Sequence, residues 1–360
     1  MDRGKAIYFH GRHRERQAFR QCLDDAIREK KGTSFLVQGP PGVGKTALVY
    51  QLMDEHPDWH FAKINPTALY DLNELRDVLG LDKWWQVWKK ETLSVKPFYQ
   101  EIGFETNIQL NHHSFEKTWQ EVQQPTVLFL DEAQRLQDEL QESDRRKIIR
   151  DVLSHLHNLE TDHGFCFLVA GLNQTKSLLN DFHISRFAKQ TVFRLKPLDR
   201  NDEEALCLDW LVREGGVKEA TSELKHWVDT IMRQTQGWPQ HVTSYGEEAA
   251  RVIRQAMGKL TDEGLKAILK QGQLLKNAYY EERVESFSRK ERQQIAEWIQ
   301  QHPVFDREGF MEAYSENLFD QCLSKGVFDQ QSDGAYQVPI PSMMTWLMDG
   351  YGESFQQEQG

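Results

Sequence analysis

Two short stretches carry the residues that could do chemistry in this chain. The first, residues 39–46 (GPPGVGKT), fits the pattern GxxxxGK[ST], whose successive backbone N–H groups close around the β- and γ-phosphates of a nucleotide. Lys45 supplies a mobile positive charge, the Thr46 hydroxyl can bind Mg²⁺, and the glycines let the backbone approach the phosphates closely. We therefore predict a nucleotide site formed by Gly39, Pro40, Pro41, Gly42, Val43, Gly44, Lys45, Thr46 and Ala47.

The second stretch, residues 126–134 (TVLFLDEAQ), ends a run of apolar β-formers with two carboxylates. We expect Asp131 to hold Mg²⁺, mainly through its water shell. Glu132, one residue further, is expected to polarise the water that attacks the terminal phosphate. A glutamate at this point is typical of ATPases that carry the catalytic base on the strand, in contrast to kinases and Ras-like GTPases. The pair therefore indicates a hydrolase rather than a simple nucleotide binder.

These residues require a sheet and a helix to position them. Residues 34–38 form an apolar, β-rich run directly before the glycine-rich loop, and residues 46–53 are rich in helix formers. Further strands are predicted at 59–64, 126–130, 165–171 and 190–195. The new helix after the loop directs its free N–H groups and positive dipole end at the phosphates. In open α/β sheets, ligands bind at the carboxyl ends of the strands, where both stretches would meet.

Composition narrows the class of protein. The 360 residues are enough for two or three domains, and a net charge of −11 gives no global attraction for nucleic acid. The four cysteines lack CxxC spacing, which is typical of a reducing cytosol and argues against a zinc ribbon or a disulfide framework. No apolar run approaches a membrane span. We expect a soluble cytoplasmic protein that does not bind membranes.

Five motifs together resemble a known family. GPPGVGKT, LFLDEAQ, LVAGLNQ, ISRF and GWPQHV occur in the order found in AAA+ and STAND-like ATPases of bacteria and archaea. They resemble in particular the branch near origin-binding initiators and transposition regulators. Over residues 7–256, the resemblance implies a P-loop fold with a five-stranded parallel sheet between helices, ATP and Mg²⁺ as ligands, a helical lid, and homo-oligomers that share ATP sites.

The resemblance also implies roles for polar residues beyond the first two motifs. Asn173 is expected to contact the γ-phosphate or the attacking water, with Gln174 as a second candidate. Arg186 resembles the arginine finger that reaches the nucleotide of the next subunit, a task suited to a permanently charged fork. A structural ion pair is the alternative for Arg186.

The resemblance also implies which residues lie beside the adenine of the nucleotide and which belong to the lid. The segment FHGRHRE resembles a signature that lies beside the adenine, which nominates Gly11 and Arg12. Pro239 belongs to a GxP-like turn at the start of a lid helix that covers the nucleotide. Many such lids carry an arginine at about this point, whereas this chain has Gln240 and His241. This departure leaves open whether the lid senses the γ-phosphate.

We expect four regions. They are an ATPase core (1–198), a helical lid (199–275), a module like a winged helix (276–350) and a flexible tail (351–360). The lid is expected to open with a capping box at residues 201–204. The third region has that outline because it contains helices at 288–301, 306–314 and 316–324 and a hairpin at 327–338.

The partners implied by these regions stay open. A winged helix suggests DNA, yet its presumed recognition helix presents Glu316 and Asp320 against only Lys325. We therefore favour protein contact or internal packing for this module, with DNA as a further candidate. Trp84 and Trp88, one helical turn apart beside lysines, could stack on bases or form a protein interface, or could belong to a small local core.

Two functions compete at this stage. The first is an ATP-hydrolysing switch that oligomerises on ATP and recruits a protein partner, with DNA as one candidate platform, as transposition or defence regulators do. The second is a largely monomeric STAND-type adaptor that holds its nucleotide with little turnover and binds other proteins.

Overall fold

The computed structural model describes most of the chain outside one long segment. The described residues are 6–29, 31–64, 66, 125–139, 146–147, 149–150, 153, 166–181, 191–218, 221–331 and 333–352.

Five parallel strands form the central sheet. They are β1 (Ser34–Gln38), β2 (His60–Ile64), β3 (Thr126–Leu130), β4 (Cys166–Gly171) and β5 (Thr191–Arg194), in the spatial order β2-β3-β4-β1-β5. Every residue of β1, β3 and β4 is buried, whereas the edge strands β2 and β5 are partly exposed. Uninterrupted apolar runs therefore form the centre of the sheet, as expected where helices cover both faces. The predicted five-stranded parallel sheet is confirmed.

Helices α1 (His13–Glu29) and α2 (Lys45–Glu55) accompany the sheet in the N-terminal half. A 3₁₀ turn (Ala133–Arg135) and the short helix α3 (Leu136–Glu139) follow β3, and α4 (Thr175–Asp181) follows β4. Phe19 of α1 packs against Phe35 of β1 with ring centroids 4.5 Å apart. This packing places α1 on the sheet and brings the segment before it to the glycine-rich loop.

The lid is a set of helices with its own core. It contains α5 (Arg200–Leu208), which continues as a π-helical turn (Asp209–Glu214), α6 (Ser222–Thr235) and α7 (Pro239–Gln255). Pro239 is the first residue of α7, as predicted. The prediction that residues 201–204 form the cap of α5 is wrong, because the Asp199 side chain accepts from the Asp202 N–H and starts the helix two residues earlier.

Helix α8 (Asp262–Val284) joins the lid to the C-terminal module. The expected division between residues 275 and 276 falls inside this continuous helix. Tyr280 and Val284 near its end belong to the same apolar core as the sheet and the C-terminal module. The helix is therefore a shared structural element of all three regions rather than a linker.

The C-terminal module contains α9 (Arg289–Gln301), α10 (Arg307–Ala313), α11 (Glu316–Lys325), an antiparallel pair of short strands, and α12 (Pro341–Leu347). The strands are β6 (Asp329–Gln330) and β7 (Tyr336–Gln337). Helix α9 begins with a capping box, in which Ser288 and Glu291 are bonded reciprocally. Three helices and a hairpin occur in the predicted order, and the winged-helix interpretation of them stays a prediction.

None of the described helices combines the length and apolar character that crossing a bilayer requires.

Candidate functional site

The glycine-rich loop connects the centre of the sheet to α2. It leaves β1 after Gln38, and Gly44, at φ 94° in the left-handed region, precedes the first residue of α2. Lys45 is buried and its Nζ donates to the carbonyls of Gly39 at 2.9 Å and Pro40 at 3.0 Å. Burial lowers the pKa of Lys45 to about 8. The ammonium is thus held inside the loop by neutral carbonyls, which a phosphate oxygen would replace with a stronger, charged acceptor.

Thr46 and Asp131 meet at the carboxyl end of the sheet. The Thr46 hydroxyl lies 3.4 Å from both carboxylate oxygens of Asp131. The same carboxylate accepts from Lys63 Nζ at 2.8 Å and from the Glu132 N–H at 3.0 Å. Lys63 is on β2, beside β3. This ion pair raises the pKa of Lys63 despite the opposing effect of burial.

The donor set at Thr46 and Asp131 fits Mg²⁺. Both offer hard oxygen ligands, which this ion prefers. Within the described ranges, no three His, Cys, Asp or Glu side chains converge to hold a metal by themselves. The protein would therefore supply one or two ligands, and phosphate and water oxygens the rest, as is usual for magnesium at nucleotide sites.

Glu132 has a strained backbone and a fixed side chain. Its φ of 52° and ψ of 39° lie in the left-handed region, which is costly for a residue with a Cβ. Its carboxylate accepts from Gln134 Nε2 at 2.5 Å, and Gln134 Oε1 accepts from the Leu172 N–H at 3.3 Å. Gln134 therefore bridges the carboxylate to the loop after β4. The arrangement fixes Glu132 at the edge of the cavity described next.

A cavity of about 370 Å³ lies between the loop, the N-terminal segment, the lid and α8. Its lining includes residues 41–47 of the glycine-rich loop together with Glu132 and Gln134. Arg283 of α8 and Ser324 of α11 also face it. The volume and the polar residues at one end suit a nucleotide-sized ligand.

The N-terminal segment forms the other end of the cavity. Tyr8, His10 and Arg12 line it, and Arg12 donates to the Val43 carbonyl at 3.0 Å. Gly11 does not line the cavity. It has a φ of 77°, and a Cβ there would overlap the Asp202 carboxylate. Gly11 thus allows the segment to pack tightly on the lid.

The lid contacts the glycine-rich loop directly. Trp238 Nε1 donates to the Pro41 carbonyl at 3.1 Å, and the Gln240 N–H donates to the Gly42 carbonyl at 3.2 Å. Pro239, between them, lines the cavity. The turn before Pro239 is held by the buried Glu203, which accepts from the Gly237 N–H at 2.6 Å. The lid is therefore closed over the loop through its turn.

Comparison with known proteins agrees with this geometry. Residues 8–168 match the family model described as the AAA ATPase domain. This part of the chain is therefore similar to an AAA ATPase domain. No curated protein matches the sequence.

Solved structures show the same fold. The ADP form of the ORC2 protein of Aeropyrum pernix matches with 14% identity and a TM-score of 0.59, over 98% of both chains. The complexes of the same protein with ADPNP and ADP match with 12% identity and a TM-score of 0.56, also over 98% of both chains. At these identities the likeness concerns the fold alone, which is that of an AAA+ P-loop NTPase.

The loop after β4 faces the C-terminal module. The Asn173 amide donates to Asp329 at 2.6 Å, and Gln174 Nε2 donates to the Leu323 carbonyl at 2.9 Å. Leu172 lines the cavity, whereas neither Asn173 nor Gln174 does. A γ-phosphate role for Asn173 stays a prediction, and it would require the amide to exchange Asp329 for the nucleotide.

Two predicted features lie outside the described residues: Arg186, the candidate arginine finger, and the pair Trp84 and Trp88.

The sequence did not predict several residues of the site, and four polar ones among them are informative. Lys63, Gln134, Arg283 and Asp329 come from four separate elements. Only Gln134 had a usable signal, because it stands two residues beyond Glu132 in a motif already identified. The others reach the site through strand pairing or through packing of α8 and the C-terminal module, which leave no local pattern.

Proposed function

We propose that the protein is an ATP-binding and ATP-hydrolysing switch. The observation that carries the proposal is that Lys45, Thr46 and Glu132 line one cavity beneath the lid, with the Asp131 carboxylate 3.4 Å from the Thr46 hydroxyl. The backbone amides of the loop and Lys45 would bind the β- and γ-phosphates. The ORC2 structures were determined with ADP and ADPNP, which agrees with a nucleotide ligand.

Two side chains of the described site would position a hydrolytic water. The Glu132 carboxylate would accept a proton from water, and Gln134 would hold that carboxylate in place. Mg²⁺ bound at Thr46 and Asp131 would neutralise charge on the phosphate oxygens. Residues beyond the described ranges, Arg186 among them, would complete the site from a neighbouring subunit.

We propose further that ATP drives assembly and that the assembled form recruits a protein partner, with DNA as one candidate platform. Two variants test this. Glu132→Gln is expected to retain ATP and accumulate as an oligomer, because binding persists without hydrolysis. Lys45→Ala is expected to stay monomeric because it cannot bind the phosphates.

Mass photometry with and without ATP, combined with phosphate release, measures both effects. Glu285→Gln and Lys259→Ala, the same exchanges at exposed positions, serve as matched controls. Monomers in every condition would overturn ATP-driven assembly. Undiminished phosphate release by Glu132→Gln would overturn the assigned base.

A second candidate is a monomeric, nucleotide-holding adaptor. The docking of the C-terminal module on the loop after β4 favours it, since Leu323 and Asp329 both bond to that loop. In addition, a Cβ at Gly326 would overlap the Pro41 ring, so the module touches the glycine-rich loop itself. Such a module could hold one closed state around ADP.

Nucleotide extracted from the purified protein separates the two candidates. Copurified ADP, together with no rise in hydrolysis on adding duplex DNA, would favour the adaptor. Turnover that rises with protein concentration would favour the assembling switch.

A further inference from the structure

One face of α8 lies directly over the glycine-rich loop. Tyr279 and Arg283 stand four residues apart and so share this face. A Cβ built on Gly42 would come within 2.7 Å of the Tyr279 hydroxyl. Burial raises the pKa of that hydroxyl. The helix that leads into the C-terminal module therefore packs against the predicted phosphate site.

Arg283 faces the cavity without a strong acceptor. It lines the cavity with Lys45, Thr46 and Glu132. Its guanidinium stacks on Tyr279 at 4.9 Å from the ring centroid, and its hydrogen bond to that hydroxyl is long, at 3.5 Å. Its Nε is buried and has no partner. Among the described residues, no carboxylate forms an ion pair with it.

Two positive charges thus share one end of the cavity. Burial and, to a smaller extent, the charge of Arg283 lower the pKa of Lys45, whereas the Glu132 and Asp131 carboxylates oppose this. The other arginine of the cavity, Arg12, is already bonded to the Val43 carbonyl. Arg283 is therefore a half-buried guanidinium whose unused donors face the cavity, where an anion could accept from them.

The lid offers no comparable cation at its expected position. Gln240 is neutral, and the next residue, His241, is buried with its pKa lowered to about 3 by desolvation. Its ring lies 3.2 Å from the Tyr280 hydroxyl of α8. His241 is therefore an uncharged packing residue at neutral pH.

We propose that Arg283 binds the terminal phosphate of a nucleoside triphosphate and that α8, rather than the lid helix α7, distinguishes ATP from ADP. This inference rests on the proposed nucleotide site. The guanidinium offers a planar fork of donors that suits phosphate oxygens. Because α8 continues directly toward α9, the contact joins the γ-phosphate to the C-terminal module.

Equilibrium binding of fluorescent ATP and ADP tests the proposal. It is measured in full-length protein carrying Glu132→Gln, so that ATP is not consumed. Adding Arg283→Gln is expected to weaken ATP binding by roughly 10- to 100-fold, the effect of losing a charged hydrogen bond. ADP binding is expected to change by less than about 3-fold, since the lost partner is the terminal phosphate.

Arg283→Lys keeps the charge and loses the fork, so it should give an intermediate loss for ATP. Arg254→Gln, an exposed exchange on the lid whose arginine pairs with Glu214, is the matched control and should change neither affinity. Thermal denaturation establishes that each variant is folded. If Arg283→Gln does not fold, Arg283→Lys alone decides between an ATP-selective loss and none.

The outcomes separate the inference from the proposed function. If the parent protein binds ATP and Arg283→Gln leaves the ratio of ATP to ADP affinity unchanged, the inference is wrong and the nucleotide site stands. An equal loss for both nucleotides would also overturn it. If the parent protein binds neither nucleotide, the proposed function fails and this inference fails with it.

Discussion

The buried carboxylate of Asp329 makes the stability of the protein depend on pH. Asp329 is 4% exposed and accepts from the Asn173 amide at 2.6 Å. Desolvation raises its pKa from 3.8 to about 6, against the opposing effects of Asn173, Lys45, Arg194 and the Gln330 backbone. Replacing it with asparagine removes the titration, while the new carboxamide oxygen can still accept from Asn173.

The direction of this pH dependence follows from the pH at which each state binds its proton. The folded protein takes up a proton at a higher pH than the unfolded chain, so stability is greatest below the unfolded pKa and is lost as pH rises through about 6. The complete effect is about 3 kcal/mol, from 1.36 kcal/mol for each pKa unit. Between pH 7.5 and pH 5.0 the same relation gives a gain of about 1 kcal/mol on acidification.

Urea unfolding followed by tryptophan fluorescence measures this difference. On moving from pH 7.5 to pH 5.0, the wild-type protein should gain about 1 kcal/mol of stability relative to Asp329→Asn. Asp333→Asn makes the same exchange at an exposed position of the same module and should behave as the wild type. A wild-type protein and Asp329→Asn with the same pH dependence would refute the reasoning.

Three further substitutions, the first with a control, test the glycine-rich loop, the lid and the C-terminal module. Gly42→Ala should weaken ATP binding by at least about 10-fold in a fluorescence titration, because its Cβ would lie 2.7 Å from the Tyr279 hydroxyl. Gly334→Ala, also at positive φ but in open space, should leave binding unchanged. Glu203→Ala should lower the free energy of unfolding in urea by about 2 kcal/mol, because it leaves the buried Gly237 N–H without an acceptor, while the Thr235 hydroxyl can still donate to the Ile231 carbonyl. Ser288→Ala should cost about 1 kcal/mol in thermal denaturation by removing the α9 capping box.

Local patterns predicted most of the framework. The run 34–38 coincides with β1, and 126–130 coincides with β3, because buried parallel strands are short, apolar and bounded by turn residues. The caps at Thr221 and Ser288 are local features of the same kind, since each cap bonds to a backbone N–H three residues further along the chain. The cap of α5 was missed because Asp199 and Asn201 offer the same chemistry two positions apart.

The phosphate end of the site was also predictable. Residues 39–47 bring several N–H donors together within one loop. Asp131 and Glu132 place two carboxylates at adjacent positions. Their meeting followed from one general property of parallel sheets, namely that the carboxyl ends of the strands lie at the same edge. The observed distance of 3.4 Å between Thr46 and Asp131 agrees with that expectation.

The sequence by itself therefore determined the strands of the sheet, the glycine-rich loop and the position of the carboxylates. Each of these features is formed by residues that lie close together in the sequence. The tertiary structure alone decided which distant side chains reach them. Lys63 comes from the pairing of β2 with β3, Arg283 from the packing of α8 over Gly42, and Asp329 from the docking of the C-terminal module. Each contact joins residues that are far apart in the sequence. Its energy therefore depends on tertiary packing, which a local sequence pattern does not predict.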